Sequence, residues 1–324
     1  MRYFLFLFWF LPVVNIFAQL PSKPPQPGEV VVIAPGEYFD KIEIAFQGTP
    51  EKWITIVGDG VKAPGMEING ASYVKIKGFH LSGSHSNGLQ IYNYAHHVVI
   101  DGIRVDSAHH NGIKITGFAH DIVVKNAHVS ACGIDNITCH NSVFGPAGNK
   151  IAFINCRSVR SRGEQAFDIT SGSEILLADC SSEHNGEGPI NIGHGVKHVV
   201  VRNFVAEDEW NGPKVKYAEG VRFEGGSFNE KLRLVSQAAN EGEGMGATQI
   251  TVVGNPFPEI KNKVEADIHL LEDAPAPATW ERELLDLAGG NFAGLPDIKY
   301  SIPLQNQFWD VMMGIYDSVM EWWR

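Results

Sequence analysis

The chain has 324 residues, 44% of them apolar, and a formal net charge of −11; it can bury a substantial core. An acidic surface repels nucleic acid on average, and it repels an acidic polysaccharide too unless a local basic cluster or a bound cation reverses the field inside a groove. After the first nineteen residues no segment is long and apolar enough to span a bilayer.

Residues 1–19, MRYFLFLFWFLPVVNIFAQ, join one basic residue, Arg2, to an apolar stretch with Ala18 near a plausible cleavage point. This pattern predicts an export signal. Pro12 and Asn15 interrupt the stretch, which argues against an anchoring span. Cleavage would leave 25 of the 26 basic side chains against 37 acidic ones, a net charge of −12. The expected product is secreted or periplasmic.

From about residue 53 the chain repeats. WITIVG is followed by related segments starting at Tyr73, His97, Asp121, Lys150, Glu174 and His198, spaced by 24, 24, 29, 24 and 24 residues. Each unit holds short alternating strands separated by Gly, Asn or Ser turns, with no room for a helix. That pattern predicts a parallel β-helix, a solenoid whose coils stack at ~4.8 Å because no coil buries its apolar side alone. We expect the helix domain over 20–230, and terminal coils with a helical capping region over 231–324.

Stacking turns repeat positions into columns. Phe79, Ile103, Ala127, Cys156, Cys180 and Phe204 form a predicted inward file, in which the cysteines pack as small apolar residues in preference to a bridge. The four cysteines, with Cys132 and Cys139, allow three pairings, and spacing does not choose among them. Asn126, Asn155, Asp179 and Asn203 form a predicted structural ladder at a bend, where Gly78 and Gly102 stand in the earlier coils.

The last strand of each coil carries one outward residue: Glu43, Glu67, Gln90, Lys114, Thr138, Asp168 and Asn191. The turn before it contributes His85, His109, His110, Asp135, Arg162, Glu164, His184 and Glu187, and His140 and His194 follow it. HNSVFGPAGNK lengthens one coil beside these strands and predicts a groove wall. Asp135, Glu164, Asp168 and Glu187 are expected to converge. Like charges that close cannot all stay ionised: either one is protonated and acts as an acid, or calcium sits among the four. Lys114, His140 and Arg162 are the candidate acid or base, with Glu164, Asp168, His184 and His194 in the same catalytic set. Gln90, His109, His110, Thr138 and Asn191 are the candidate substrate contacts.

Beyond 231, KLRLVS, TQITVVGN and EADIHLL predict further strands, and TWERELLDLAGG a short helix. Residues 306–323 predict an amphipathic helix. This tail is expected to cover an open end of the stack.

The repeat and the opening PGEVVVIAPGEYFDKIEIAFQGTPEKWITIVGDG (27–60) resemble the right-handed β-helix proteins of the pectate-lyase-like superfamily, the opening most of all the chondroitinase B and alginate lyase group. The resemblance implies a single-stranded right-handed parallel β-helix and polysaccharide cleavage on an outer sheet, often with calcium. The Lys and Arg motif context of the chondroitinase B group is missing, as is the neighbouring Asp pair of polygalacturonase-type hydrolases, although GHG at 193–195 matches a fragment of the latter. The leading expectation is a lyase acting on a uronate-containing glycan by β-elimination. A glycoside hydrolase, an epimerase and a binding or scaffold protein are the alternatives. Expected partners are an acidic polysaccharide and neither nucleic acid nor membrane, with a monomeric chain.

Overall fold

In the computed structural model, which describes residues 23–236, 246–254 and 256–289, successive coils wind into a parallel β-solenoid of about nine turns. Two sheets run its length. One has ten short strands: 42–44, 66–69, 89–92, 113–115, 137–139, 165–169, 188–192, 214–215, 232–234 and 260–262. The other holds eighteen strands and wraps two sides of each coil, as the strand Ser72–Ser82 shows by pairing with both His96–Asp101 and Arg104–Asp106. Both sheets continue past residue 231, one through 248–253 and 268–271 and the other through 232–234 and 260–262, where the sequence repeat has faded. The expected signal segment and the 306–323 helix lie outside the described residues.

The apolar alternation within each strand produces one continuous core. Ile44, Ile68, Ile91, Ile115, Cys139, Ile169 and Ile192 project inward from the ten-stranded sheet and are fully buried. The predicted inward file is buried as well, and toward the C-terminal coils it widens into stacked rings, Phe204 and Phe228 lying 5.5 Å apart. All four cysteines are free and buried, so cysteine serves this core by volume.

Gly78, Gly102, Asn126, Asn155, Asp179 and Asn203 all sit at positive φ, between 51° and 77°, the left-handed region that Gly and Asn tolerate best. The side chains also link coils. Asn155 Nδ2 donates to Asn126 Oδ1 (2.8 Å), and Asn126 Nδ2 donates to Asp101 Oδ1 (2.7 Å). Asn155→Ala should destabilise the protein by about 2 kcal/mol in urea unfolding, through lost bonds and left-handed strain together. Asn155→Gly should cost less, since glycine removes the strain.

The helix Thr279–Gly289 lies along the flank of the solenoid, against 120–125, 149–154 and 173–178. There Val123, Ala152 and Leu176 point away from the core yet are fully buried. The short helix expected from the sequence is present, but it covers this apolar outer face of the middle coils and not the open end of the stack that it was expected to close. Two arginines from adjacent coils fix its start. Arg202 and Arg222 donate to Glu281 Oε2 (2.7 Å) and Oε1 (2.6 Å), and both also engage Glu224.

Candidate active site

The outward column forms as expected, in unbroken register. Glu43 pairs with Glu67, then Gln90, Lys114, Thr138, Asp168 and Asn191 follow. It also continues through Lys214, Arg233 and Lys261. Arg233 and Lys261 were missed in the sequence because the coils there no longer keep the 24-residue spacing, and Lys214 because its strand, Lys214–Val215, lacks the apolar residue that flanks the outward position on its N-terminal side in earlier coils.

Asp168 stands at the middle of the column, 5% exposed. It accepts hydrogen bonds from Asn191 Nδ2 (2.7 Å) and Thr170 Oγ1 (2.9 Å), with Thr138 Oγ1 at 3.4 Å. Thr138 and Asn191, expected to touch substrate, are thus buried and support Asp168.

Asp135 lies in the turn leading to strand 137–139 and is 4% exposed. Its place belongs to a ladder in which the side chain of one coil receives a backbone N–H of the next. Asn87 Oδ1 accepts from Asn111 N (3.2 Å), Asn111 Oδ1 from Asp135 N (3.2 Å), and Asp135 Oδ1 from Gln165 N (3.0 Å). Two preceding coils use asparagine; here the ladder carries an acid. Burial, followed by the field of Asp168 and those of Glu164 and Glu187, pushes the Asp135 carboxyl up to about 8, against the single opposing bond from Gln165. At neutral pH the proton of this group of acids therefore resides on Asp135.

The four carboxylates named from the sequence do act on one another. Glu164 is raised by burial, then by Asp168 and Glu187, with His140 and Lys214 opposing. Glu187 is lowered, chiefly by its bond from Lys214 Nζ (2.9 Å), and it also accepts from Gln165 Nε2 (2.6 Å). Among the described residues no group of three or more His, Cys, Asp or Glu side chains is arranged to hold a metal ion. Both oxygens of Asp168 and Oε2 of Glu187 are engaged by protein donors, and no step below runs through a cation.

Lys114, two coils before Asp168, is half-buried. Burial lowers its ammonium, while Asp135 and Asp168 pull the other way. His140 and His194 meet across an open cleft of about 500 Å³, lined also by Asn141, Pro146, Thr170 and Ser171. His140 Nδ1 lies 2.5 Å from Asn141 O. A carbonyl only accepts, so Nδ1 carries the hydrogen and Nε2 of the neutral ring is left as an acceptor.

The remaining candidates are placed differently. His184 faces Glu183 (3.4 Å) and Asp208 (4.0 Å) at the corner of its coil. Arg162 is exposed, with its charge beside Cys132. His109 and His110 are exposed with rings 5.3 Å apart, and Gln90 accepts from Asn87 Nδ2 (2.9 Å). The predicted groove wall does line the cleft, through His140, Asn141 and Pro146, and its tip packs on the preceding coils: Thr116 Oγ1 donates to Gly145 O (2.8 Å), and the Phe144 ring lies 4.7 Å from that of Tyr92.

No family model matches the sequence, and no curated protein matches it. Solved structures do share its architecture. A rhamnogalacturonan lyase aligns at 14% identity over 77% of this chain and 78% of its own, with a TM-score of 0.51, which shows the fold to be the same. Similar structures also include an alginate lyase from Paenibacillus sp. str. FPU-7 (13% identity, 76% of this chain and 93% of that one, TM-score 0.46). The periplasmic alginate epimerase AlgG aligns at 10% identity over 76% of this chain and 78% of its own, with a TM-score of 0.45.

Proposed function

We propose that this protein is a carbohydrate-active enzyme, exported from the cytoplasm, that cleaves a uronate-containing polysaccharide by β-elimination. The observation that carries this reading is the buried Asp135 carboxyl, protonated at neutral pH beside Asp168, with Lys114 on the preceding coil and His140 on the far side of the same strand. The shelf is open along the sheet, a shape that suits a polymer, and the rhamnogalacturonan lyase of the same fold supports the substrate class. The apolar N-terminal stretch supports export.

Elimination needs the substrate carboxylate neutralised, a base for the C5 proton and an acid for the leaving oxygen. The Lys114 ammonium meets the carboxylate. His140 Nε2 takes the C5 proton, the C4–O bond breaks as the C4–C5 double bond forms, and Asp135 delivers its proton to the leaving oxygen. No water is consumed. Asp168, held by Thr170, Asn191 and Thr138, keeps that proton on Asp135.

The alternative, hydrolysis, has the same Asp135 as acid and Asp168 opposite it. Product masses decide between the two. Elimination gives fragments one of which is a water lighter than its hydrolytic counterpart, and Lys114→Met should reduce their formation by at least about a hundredfold on an acidic glycan. Fragments of full hydrolytic mass would move the acids to the hydrolase reading.

A further inference from the structure

The two halves of the outward column differ in what their polar groups have left to bind. On the N-terminal side both acids of the column are paired within the protein. Lys41 Nζ meets Glu67 (2.9 Å), Tyr92 OH donates to the same carboxylate (3.3 Å), and Asn69 Nδ2 donates to Glu43 (3.2 Å). Gln90 is taken by Asn87. That half is also acidic, and the 140–148 loop packs against its edge at Tyr92.

On the C-terminal side the column turns basic through Lys214, Arg233 and Lys261. It also holds unmet hydrogen-bonding capacity. Among the described residues only three buried side-chain polar atoms have no hydrogen-bond partner, and two of them, Asn191 Oδ1 and Arg233 Nε, lie in this half. Lys214 is held by Glu187 (2.9 Å) and Arg233 Nη2 donates to Gly212 O (3.4 Å), but the two unpaired atoms, shut off from water, are costly, and a small outward turn of either side chain onto a ligand relieves that cost.

Trp210 stands at the edge of the same half, 76% exposed. Its neighbour Asn211 packs against Gly188, which places the ring in the coil after Glu187. The adjacent backbone is fixed. Glu209 is buried and accepts from Asn185 N (2.9 Å) and Nδ2 (2.8 Å), while its carbonyl accepts from Asn229 Nδ2 (2.9 Å). An exposed indole on fixed backbone, four residues before the column residue Lys214, offers a platform for the apolar face of a sugar ring.

We infer that the glycan chain extends from the catalytic coil toward the C-terminal coils only, over Asn191, Arg233 and Lys261 with one sugar on Trp210, so that the enzyme trims chains from an end. This rests on the proposed function of the shelf. Released product is then a short unit, unsaturated from the first turnover when the reducing end is trimmed and from the second when the non-reducing end is.

Two measurements test it. Galacturonate and mannuronate hexamers are titrated against the Asp135→Asn protein, with further substitutions added singly. Arg233→Gln and Trp210→Ala should each weaken the bound hexamer at least tenfold, and Glu67→Gln should change it less than twofold. Equal losses on both sides, or none at Arg233 and Trp210, would overturn the inference. Products of the wild-type protein on the polymer are sized in parallel. A single short unsaturated product supports trimming from an end, and a ladder of unsaturated oligomers overturns it while leaving elimination intact. Binding losses confined to Arg233 and Trp210 with no unsaturated product would instead overturn elimination and leave the direction of the chain standing.

Discussion

Asp135→Asn should abolish turnover and leave the fold intact. The asparagine keeps an Oδ1 to accept from Gln165 N, as Asn111 does toward Asp135 one coil earlier, so the ladder survives. What is lost is a transferable proton, and removal of a general acid costs typically ~10²–10⁴ in rate. The same substitution changes stability in a way that a purely structural residue would not. Asp135 is held at about 8 against an ordinary value of 3.8, so between those limits the folded state keeps a proton that the unfolded chain releases. Wild-type stability therefore falls as pH rises from the lower value to the upper one and levels off beyond. The asparagine variant escapes this loss. It should match the wild type near pH 4 and exceed it above pH 8, by about 5 kcal/mol, as read by urea unfolding at both ends. Wild-type activity should fall in the same alkaline range, as Asp135 loses the proton it donates.

Glu281→Ala should be the most damaging substitution outside the shelf. Glu281 is fully buried and meets Arg202, Arg222 and the backbone N–H of Ala278 at the start of its helix. Truncation leaves two guanidinium groups sharing Glu224 alone, and breaking a buried ionic network by removing one partner costs ~3–5 kcal/mol. The helix has further ties, with Lys125 Nζ on the Ala288 carbonyl (2.7 Å) and Lys150 on Glu283 (2.6 Å), but the first is at its other end and the second is an exposed pair worth little. Its release would expose Val123, Ala152 and Leu176 on the solenoid flank. Urea unfolding should show the loss, and limited proteolysis should cut first within 272–289. Glu281→Gln keeps the acceptor oxygen toward one arginine and should lose less.

The coil repeat and the alternation within each strand made the solenoid, its inward file and its outward column legible, since a period fixes which residues stack. The corner ladder was legible for the same reason: Asn, Asp and Gly recur at one position whose backbone is left-handed in every coil from Gly78 to Asn203. Turns were harder. That Asp135 points at Asp168, that Arg162 and His184 point elsewhere, and that the long loop packs toward Tyr92 depend on side-chain and loop directions that spacing does not set. Past residue 204 the coil length changes, and Trp210, Arg233 and Lys261 lost the alignment that would have placed them beside the column. Glu281 carried the least signal of all. An acid in a short helix reads as solvated, and only the ion pairs that Arg202 and Arg222, from adjacent coils, both make with it show what it is for.

The most direct test of the account is ultraviolet absorbance of the conjugated double bond, followed for wild type and Asp135→Asn on a panel of uronate polysaccharides at neutral pH. The account predicts a rise on at least one polymer with the wild-type protein, fading above pH 8, and none with Asp135→Asn. An equal rise with both proteins would contradict the role given to Asp135, and no rise on any uronate polymer would contradict elimination itself.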